Sequence, residues 1–136
     1  MTDTEAVRMM REHFEGLFPK TCTKCGTQYA TVREYILRTQ PAGPAISYDV
    51  ELGDWQPANP LGTIAAGNCT CGTTLALSTA GLPLPKLHAV LHWLKTETEH
   101  RGVPPGQLIE WIRGEIRKQV LAESARGDAS DEGRTP

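Results

Sequence analysis

The sequence predicts an α+β chain, with a small antiparallel β module around four cysteines, an N-terminal helix before it and a helical hairpin after it. Three observations predict this. All four cysteines fall in two short phrases, CTKCGT from Cys22 to Thr27 and CTCGT from Cys69 to Thr73. Apolar residues alternate with polar ones in the stretch that leads to the second phrase, which is the pattern of a half-buried strand. Apolar residues recur at helical steps before the first phrase and after the second.

The elements follow in chain order. Residues 2 to 18 read as a helix: Thr2 and Glu5 stand at capping-box spacing, and Val7, Met10, Phe14 and Leu17 share one face. Pro19 ends it just ahead of the first cysteine pair. Thr31 and Glu34 match a second capping box, so a short helix is expected from 31 to 39, ended before Pro41. Its Val32, Tyr35 and Ile36 also favour sheets, and a strand competes for the same residues. In PAISYDVELGDW, Ile46, Tyr48, Val50 and Leu52 point one way and Ser47, Asp49 and Glu51 the other, which predicts a strand ended by a turn at Gly53 and Asp54. LGTIAAGN and TTLALS predict two more strands on either side of the second cysteine pair.

From Leu84 the period becomes helical. Pro85 suits a first turn, and Leu84, Leu87, Leu91 and Leu94 form a stripe. RGVPPG interrupts at 101 to 106. A second helix follows with Leu108, Ile109, Ile112, Ile116 and Val120 on its inner face. The residues from Glu123 onward are small, polar and charged, and a disordered tail is expected there. The expected organisation is therefore a helix over 1–19, a metal-binding β module over 20–83, a helical hairpin over 84–122 and a tail over 123–136.

Bulk properties exclude several function classes. A chain of 136 residues fits one domain or a small module with an appendage. With 39% hydrophobic and 22% charged residues and a net charge of -2, no global field draws it to nucleic acid or an anionic membrane. MTDTEAVRMM carries no apolar signal-peptide core, and no run reaches the length of a membrane span. A cytoplasmic protein is expected, and a reducing cytosol argues against structural disulfides.

The cysteines then ask for another use. Cys22 and Cys25 have two residues between them, Cys69 and Cys71 one, and Gly-Thr follows each pair. Two tight turns that each bring a pair of thiolates to one point meet the needs of a tetrahedral ion held by four sulfurs at about 2.3 Å. Gly26 and Gly72 let the backbone turn through positive φ, so that amides can reach the sulfurs. A thioredoxin-like Cys-x-x-Cys opens a helix in a βαβ unit, whereas extended chain follows here. A nucleophilic cysteine wants a base, and nothing pairs His88 or His92 with a thiol. Cys22, Cys25, Cys69 and Cys71 are the expected metal ligands.

The phrase CTKCGT resembles the metal-binding knuckle of zinc ribbons and rubredoxins, over two short stretches inside residues 20–78. The resemblance implies a β-rich metal module with those four cysteines as ligands. The spacer of 43 residues is longer than in a minimal ribbon, and the second knuckle is one residue short. Four cysteines bind Zn²⁺ or Fe. Iron implies an electron carrier, for which Tyr29, Tyr35, Tyr48 and Trp55 offer an aromatic shell or ordinary core. The short second knuckle departs from the rubredoxin pattern and favours zinc.

Other signals are weaker. His88 and His92 stand at chelating spacing in HAVLH, but Ala89 stands where a metalloprotease helix carries Glu. Arg113, Arg117 and Lys118, with Lys86 and Lys95, read as a solvated face interleaved with Glu110 and Glu115. No phosphate-binding glycine loop or hydrolase elbow occurs. The function expected is a non-enzymatic zinc-binding accessory or regulatory protein whose helices, residues 84–122, meet a protein partner or a second copy. Trp93 and Trp111, both off the main stripes, belong either to a wider core that buries the N-terminal helix or to a contact patch, in which case they are its expected anchors. A rubredoxin-like electron carrier is the alternative. Nucleic-acid binding lacks a basic surface, since residues 20–78 hold four Lys/Arg against four Asp/Glu.

Overall fold

The computed structural model describes the backbone of residues 1–41 and 63–134, and side chains over 1–40 and 65–123. The strand expected at 46–52, the turn at Gly53 and Asp54, and Tyr48 and Trp55 lie outside the described residues. Within them the chain is α+β, with four helices and two small antiparallel sheets.

Helix α1 spans Asp3–Glu15. Its capping box is complete: Glu5 N donates to Thr2 Oγ1 at 3.1 Å, and Thr2 N donates to Glu5 Oε2 at 3.1 Å. Ala6, Val7, Met10 and Phe14 face the core. The chain then pairs with itself: β1 (Lys20–Thr21) lies antiparallel to β2 (Gln28–Tyr29), with Lys20 opposite Tyr29. Sequence periodicity gave no sign of this hairpin, because strands of two residues have no period to read. Helix α2 spans Val32–Arg38. Thr31 Oγ1 accepts from Glu34 N at 3.2 Å, while Glu34 reaches one residue further back than a full box and accepts from Ala30 N at 2.7 Å. The helix wins over the competing strand because these caps satisfy its first amides.

The second sheet has the order β3-β4-β5, formed by Gln40–Pro41, Thr63–Asn68 and Thr74–Ser78. Asn68 stands opposite Thr74 across the second cysteine phrase, and Pro41 sits on the edge strand, where no ladder donor is needed. Gly67 admits close packing at this sheet: a Cβ there would stand 2.9 Å from Thr39 Cβ and 3.2 Å from Tyr35 Oη.

Helix α3 spans Leu84–Arg101 and α4 Pro105–Arg134. Gly102 ends α3 with φ at 65°, and the amides of Gly102 and Val103 both reach Thr98 O, at 3.0 and 3.3 Å. The inner face of α4 is the expected one, with Leu108, Ile109, Ile112, Ile116 and Val120 all buried.

Two expectations about the helices change. Leu84 was placed in the α3 stripe and is 59% exposed, while Leu82, ahead of the helix, is buried. The buried face is Leu87, Val90, Leu91, Trp93 and Leu94, wider than one stripe, because α3 packs on both α1 and α4. The tail expected to be disordered from 123 instead continues α4 to Arg134. Extending a formed helix avoids the cost of nucleation. Glu123 also ties α4 to α1 through Arg11, which bonds Glu15 as well at 2.8 Å.

The first three segments read from the sequence, 1–19, 20–83 and 84–122, share one core. Phe14 of α1, Cys22, Tyr29, Tyr35 of α2, Leu77 of β5, Trp93 of α3 and Ile112 of α4 belong to a single buried cluster. At the N-terminal end of α1, Arg101 Nη2 donates to both Asp3 oxygens at 2.6 and 2.7 Å, and Trp93 Nε1 donates to Asp3 Oδ1 at 3.2 Å. The Arg101 guanidinium holds the Asp3 carboxyl below its ordinary range.

Candidate metal centre

Each cysteine phrase forms the tip of one hairpin, β1-β2 for the first and β4-β5 for the second. In both, the amide of the leading cysteine donates to the carbonyl of the closing threonine: Cys22 N to Thr27 O at 2.9 Å and Cys69 N to Thr73 O at 2.8 Å. In both, the glycine amide turns back onto the leading cysteine's carbonyl, Gly26 N to Cys22 O and Gly72 N to Cys69 O, each at 2.8 Å. The missing residue of the second phrase shortens this turn by one position and leaves its plan intact. Gly26 and Gly72 take φ of 78° and 93°, which a side chain resists, although open space surrounds both.

The two tips face each other. Among the described residues, the ligand atoms of Cys22, Cys25, Cys69 and Cys71 are the one His/Cys/Asp/Glu group within metal-binding reach, all within 4.8 Å of one another. Cys25 Sγ lies 3.5 Å from Cys69 Sγ, and Cys22 Sγ lies 3.7 Å from Cys71 Sγ. Cys22 and Cys69 are buried, while Cys25 and Cys71 are exposed. Four soft sulfurs at these distances can hold a metal ion, and they fill a tetrahedral shell without an open position.

The hydroxyl partners of the sulfurs escaped the sequence reading. Tyr29 Oη donates to Cys69 Sγ at 3.1 Å. Thr27 Oγ1 lies 3.1 Å from Cys25 Sγ, and Thr73 Oγ1 lies 3.1 Å from Cys71 Sγ. The amides of Thr27 and Thr73 also reach Cys25 and Cys71, and the amide of Cys71 reaches Cys69. A signal for the threonines was present, since Gly-Thr closes both phrases, but a role was assigned to the glycine alone.

These contacts polarise the thiols. The Tyr29 hydroxyl, followed by the Cys71 amide, pulls Cys69 down to about 5. The same bond pushes Tyr29 up to about 12, because the phenol proton is held against the sulfur. The Thr73 hydroxyl lowers Cys71. Thr27 pulls Cys25 down too, but the adjoining Cys69 and Cys71 sulfurs carry it above its ordinary range. A metal ion requires all four as thiolates, so its binding releases protons.

Two tyrosines brace the hairpins. Tyr29 reaches Cys69, and Tyr35 Oη donates to Leu75 O at 2.8 Å, so both hydroxyls cross from the first hairpin and α2 to the second hairpin. Their rings meet edge-on at 6.3 Å, and the Arg38 guanidinium lies 5.1 Å from the Tyr29 ring centre. Of the aromatic shell expected around the cysteines, the described members are Tyr29, in contact with sulfur, and Tyr35 behind it.

The remaining candidates lie elsewhere. His88 and His92 are exposed on α3 and do not join the cluster. Arg117 and Lys118 are exposed, as expected of a solvated face, but Arg113 is half-buried, and Arg113 and Arg117 line a groove of about 540 Å³ between α2, β4 and α4. Trp93 is 3% exposed and belongs to the core, whereas Trp111 is 38% exposed. No helix among the described residues is long and apolar enough to cross a membrane.

Fold and site together define an α+β chain with a four-cysteine cluster fit for a metal ion. No family model matches the chain, and no curated protein or solved structure is similar to it.

Proposed function

We propose that this chain is a non-enzymatic accessory or regulatory protein in which Cys22, Cys25, Cys69 and Cys71 hold one structural Zn²⁺, in the manner of a zinc ribbon, and that residues 84–122 present its surface for a protein partner or a second copy. The observation that carries the metal reading is the convergence of four sulfurs from two hairpin tips within 4.8 Å. Four thiolates close the coordination shell, which suits a structural ion and leaves no site for a reacting water. Such an ion contributes folding free energy, about 10 kcal/mol or more in small zinc peptides. Among the described residues of the β module, β1, β2 and β3 have two residues each and the tips carry Gly and Thr in place of apolar side chains, so the ion supplies cohesion there. Support for the surface comes from Trp111, which stands partly exposed on α4 beside an apolar face already satisfied by the core. Four free thiols fit a reducing compartment such as the cytoplasm.

Elemental analysis with native mass spectrometry tests the reading. One zinc per chain is expected, lost on substitution of any of the four cysteines. Iron in its place would produce a red protein and make the centre a rubredoxin-like electron carrier. A folded chain without metal would remove the zinc reading altogether.

A further inference from the structure

We propose that Cys25, on the exposed edge of the centre, is a modification site for two-electron oxidants of the peroxide class, and that its oxidation closes a disulfide with Cys69 and expels the metal. The inference rests on the metal-centre reading above.

The centre is two-sided. Cys22 and Cys69 are 0% and 3% exposed, while Cys25 and Cys71 face solvent. The fold imposes this: in each phrase the leading cysteine directly follows a strand and packs into the core, and the second cysteine rides on the tip. An oxidant reaches the sulfurs from one side only. A metal-bound sulfur there is a thiolate, the nucleophilic form. Cys25 also has its resolving sulfur at hand across the gap between hairpins, with Cys69 Sγ at 3.5 Å against 3.7 Å for the Cys71–Cys22 pair. Its tip is the longer of the two, with two residues between its cysteines, so it closes on its partner with less distortion. Bond formation at about 2.05 Å asks for a sulfur movement of roughly 1.5 Å.

The chemistry balances. The Cys25 thiolate attacks one peroxide oxygen, the O–O bond breaks, and hydroxide leaves, giving the sulfenic acid. The Cys69 thiolate then attacks the Cys25 sulfur, the S–S bond forms, the S–O bond breaks, and a second hydroxide leaves. Two electrons pass from the two sulfurs to the peroxide, and the ion stays divalent. It keeps only Cys22 and Cys71 and departs. The new disulfide joins the hairpins where the ion had joined them, and Tyr35 still bonds Leu75, so the module releases its metal without unfolding.

The test uses the full chain, loaded with zinc and with its stoichiometry fixed by native mass spectrometry. One equivalent of hydrogen peroxide is added, released zinc is read with a chromogenic chelator, and tryptic peptides are mapped by tandem mass spectrometry. Cleavage after Lys24 separates Cys22 from Cys25, so peptide 25–33 reports Cys25 alone. The expected result is one zinc released per peroxide consumed and peptide 25–33 joined to peptide 39–86 through Cys25 and Cys69. Thr27→Val, which removes the hydroxyl 3.1 Å from Cys25 Sγ, is expected to speed release several-fold by leaving more charge on that sulfur. A Cys22–Cys71 or Cys22–Cys25 bridge, a sulfinate at Cys25 with zinc retained, or an unchanged rate in Thr27→Val would overturn the proposal. A chain isolated without zinc fails the earlier reading instead, and the same mapping on its metal-free thiols then judges the disulfide by itself.

Discussion

Truncating the two helical tryptophans separates core from surface. Trp93 is 3% exposed, with its indole in the shared core and its Nε1 donating to Asp3. Trp93→Ala removes a nearly fully buried indole, which costs about 3–5 kcal/mol in transfer and cavity terms. The lost hydrogen bond adds about 1 kcal/mol or less, because Asp3 keeps both bonds from Arg101. Trp111 is 38% exposed, so roughly three-fifths of the burial is at stake and water refills much of the space. Trp111→Ala should cost about 2 kcal/mol, offset in part by the better helix propensity of alanine. For a chain of this size 1 kcal/mol corresponds to about 3–4 °C in Tm, so the expected losses are about 9–24 °C for Trp93→Ala and at most about 6–8 °C for Trp111→Ala. Thermal unfolding followed by far-UV circular dichroism reads both. Sedimentation or co-purification of Trp111→Ala should meanwhile show weakened association with the fold retained. Equal losses in the two variants, or a loss under about 2 kcal/mol for Trp93→Ala, would refute the assignment of Trp93 to the core and Trp111 to a surface.

Gly67→Ala places a Cβ against Thr39 and Tyr35, and urea unfolding should show a loss of about 1–3 kcal/mol from overpacking, with an unchanged m-value. Removal of the metal with a chelator should lower the midpoint of the helical signal within a single transition, because Cys22, Cys69 and the helix residues share one core; two separated transitions would count against that unity. In cobalt-substituted protein, Tyr29→Phe should move the sulfur-to-metal charge-transfer bands to longer wavelength while one cobalt per chain is kept, since the Cys69 sulfur loses its hydroxyl donor; unmoved bands would show that the Tyr29 bond does not persist in the metal-loaded centre.

Much of the local structure was legible from the sequence because its signals are local. The Thr2–Glu5 and Thr31–Glu34 spacings marked both N-caps, the RGVPPG interruption marked the end of α3, and the α4 face from Leu108 to Val120 followed from period alone. The paired phrases CTKCGT and CTCGT identified the four sulfurs that converge, because a tight turn with a positive-φ glycine is written in neighbouring residues. Tertiary structure decided the rest. Whether Trp93 or Trp111 is buried depends on how many helices surround α3, and no stripe on α3 reports that number. Leu84 keeps the helical phase of Leu87 and still lies outside, because the packing surface ends before it does. The choice of Cys69 over the other sulfurs for the Tyr29 hydroxyl, and of Cys25 and Cys71 as the exposed edge, comes from how two hairpins 40 residues apart in the chain dock. Periodicity and caps act through neighbours a turn away, so sequence determines them. Burial of a face and hydrogen bonds across a gap require both partners to be in place, and only the assembled core puts them there.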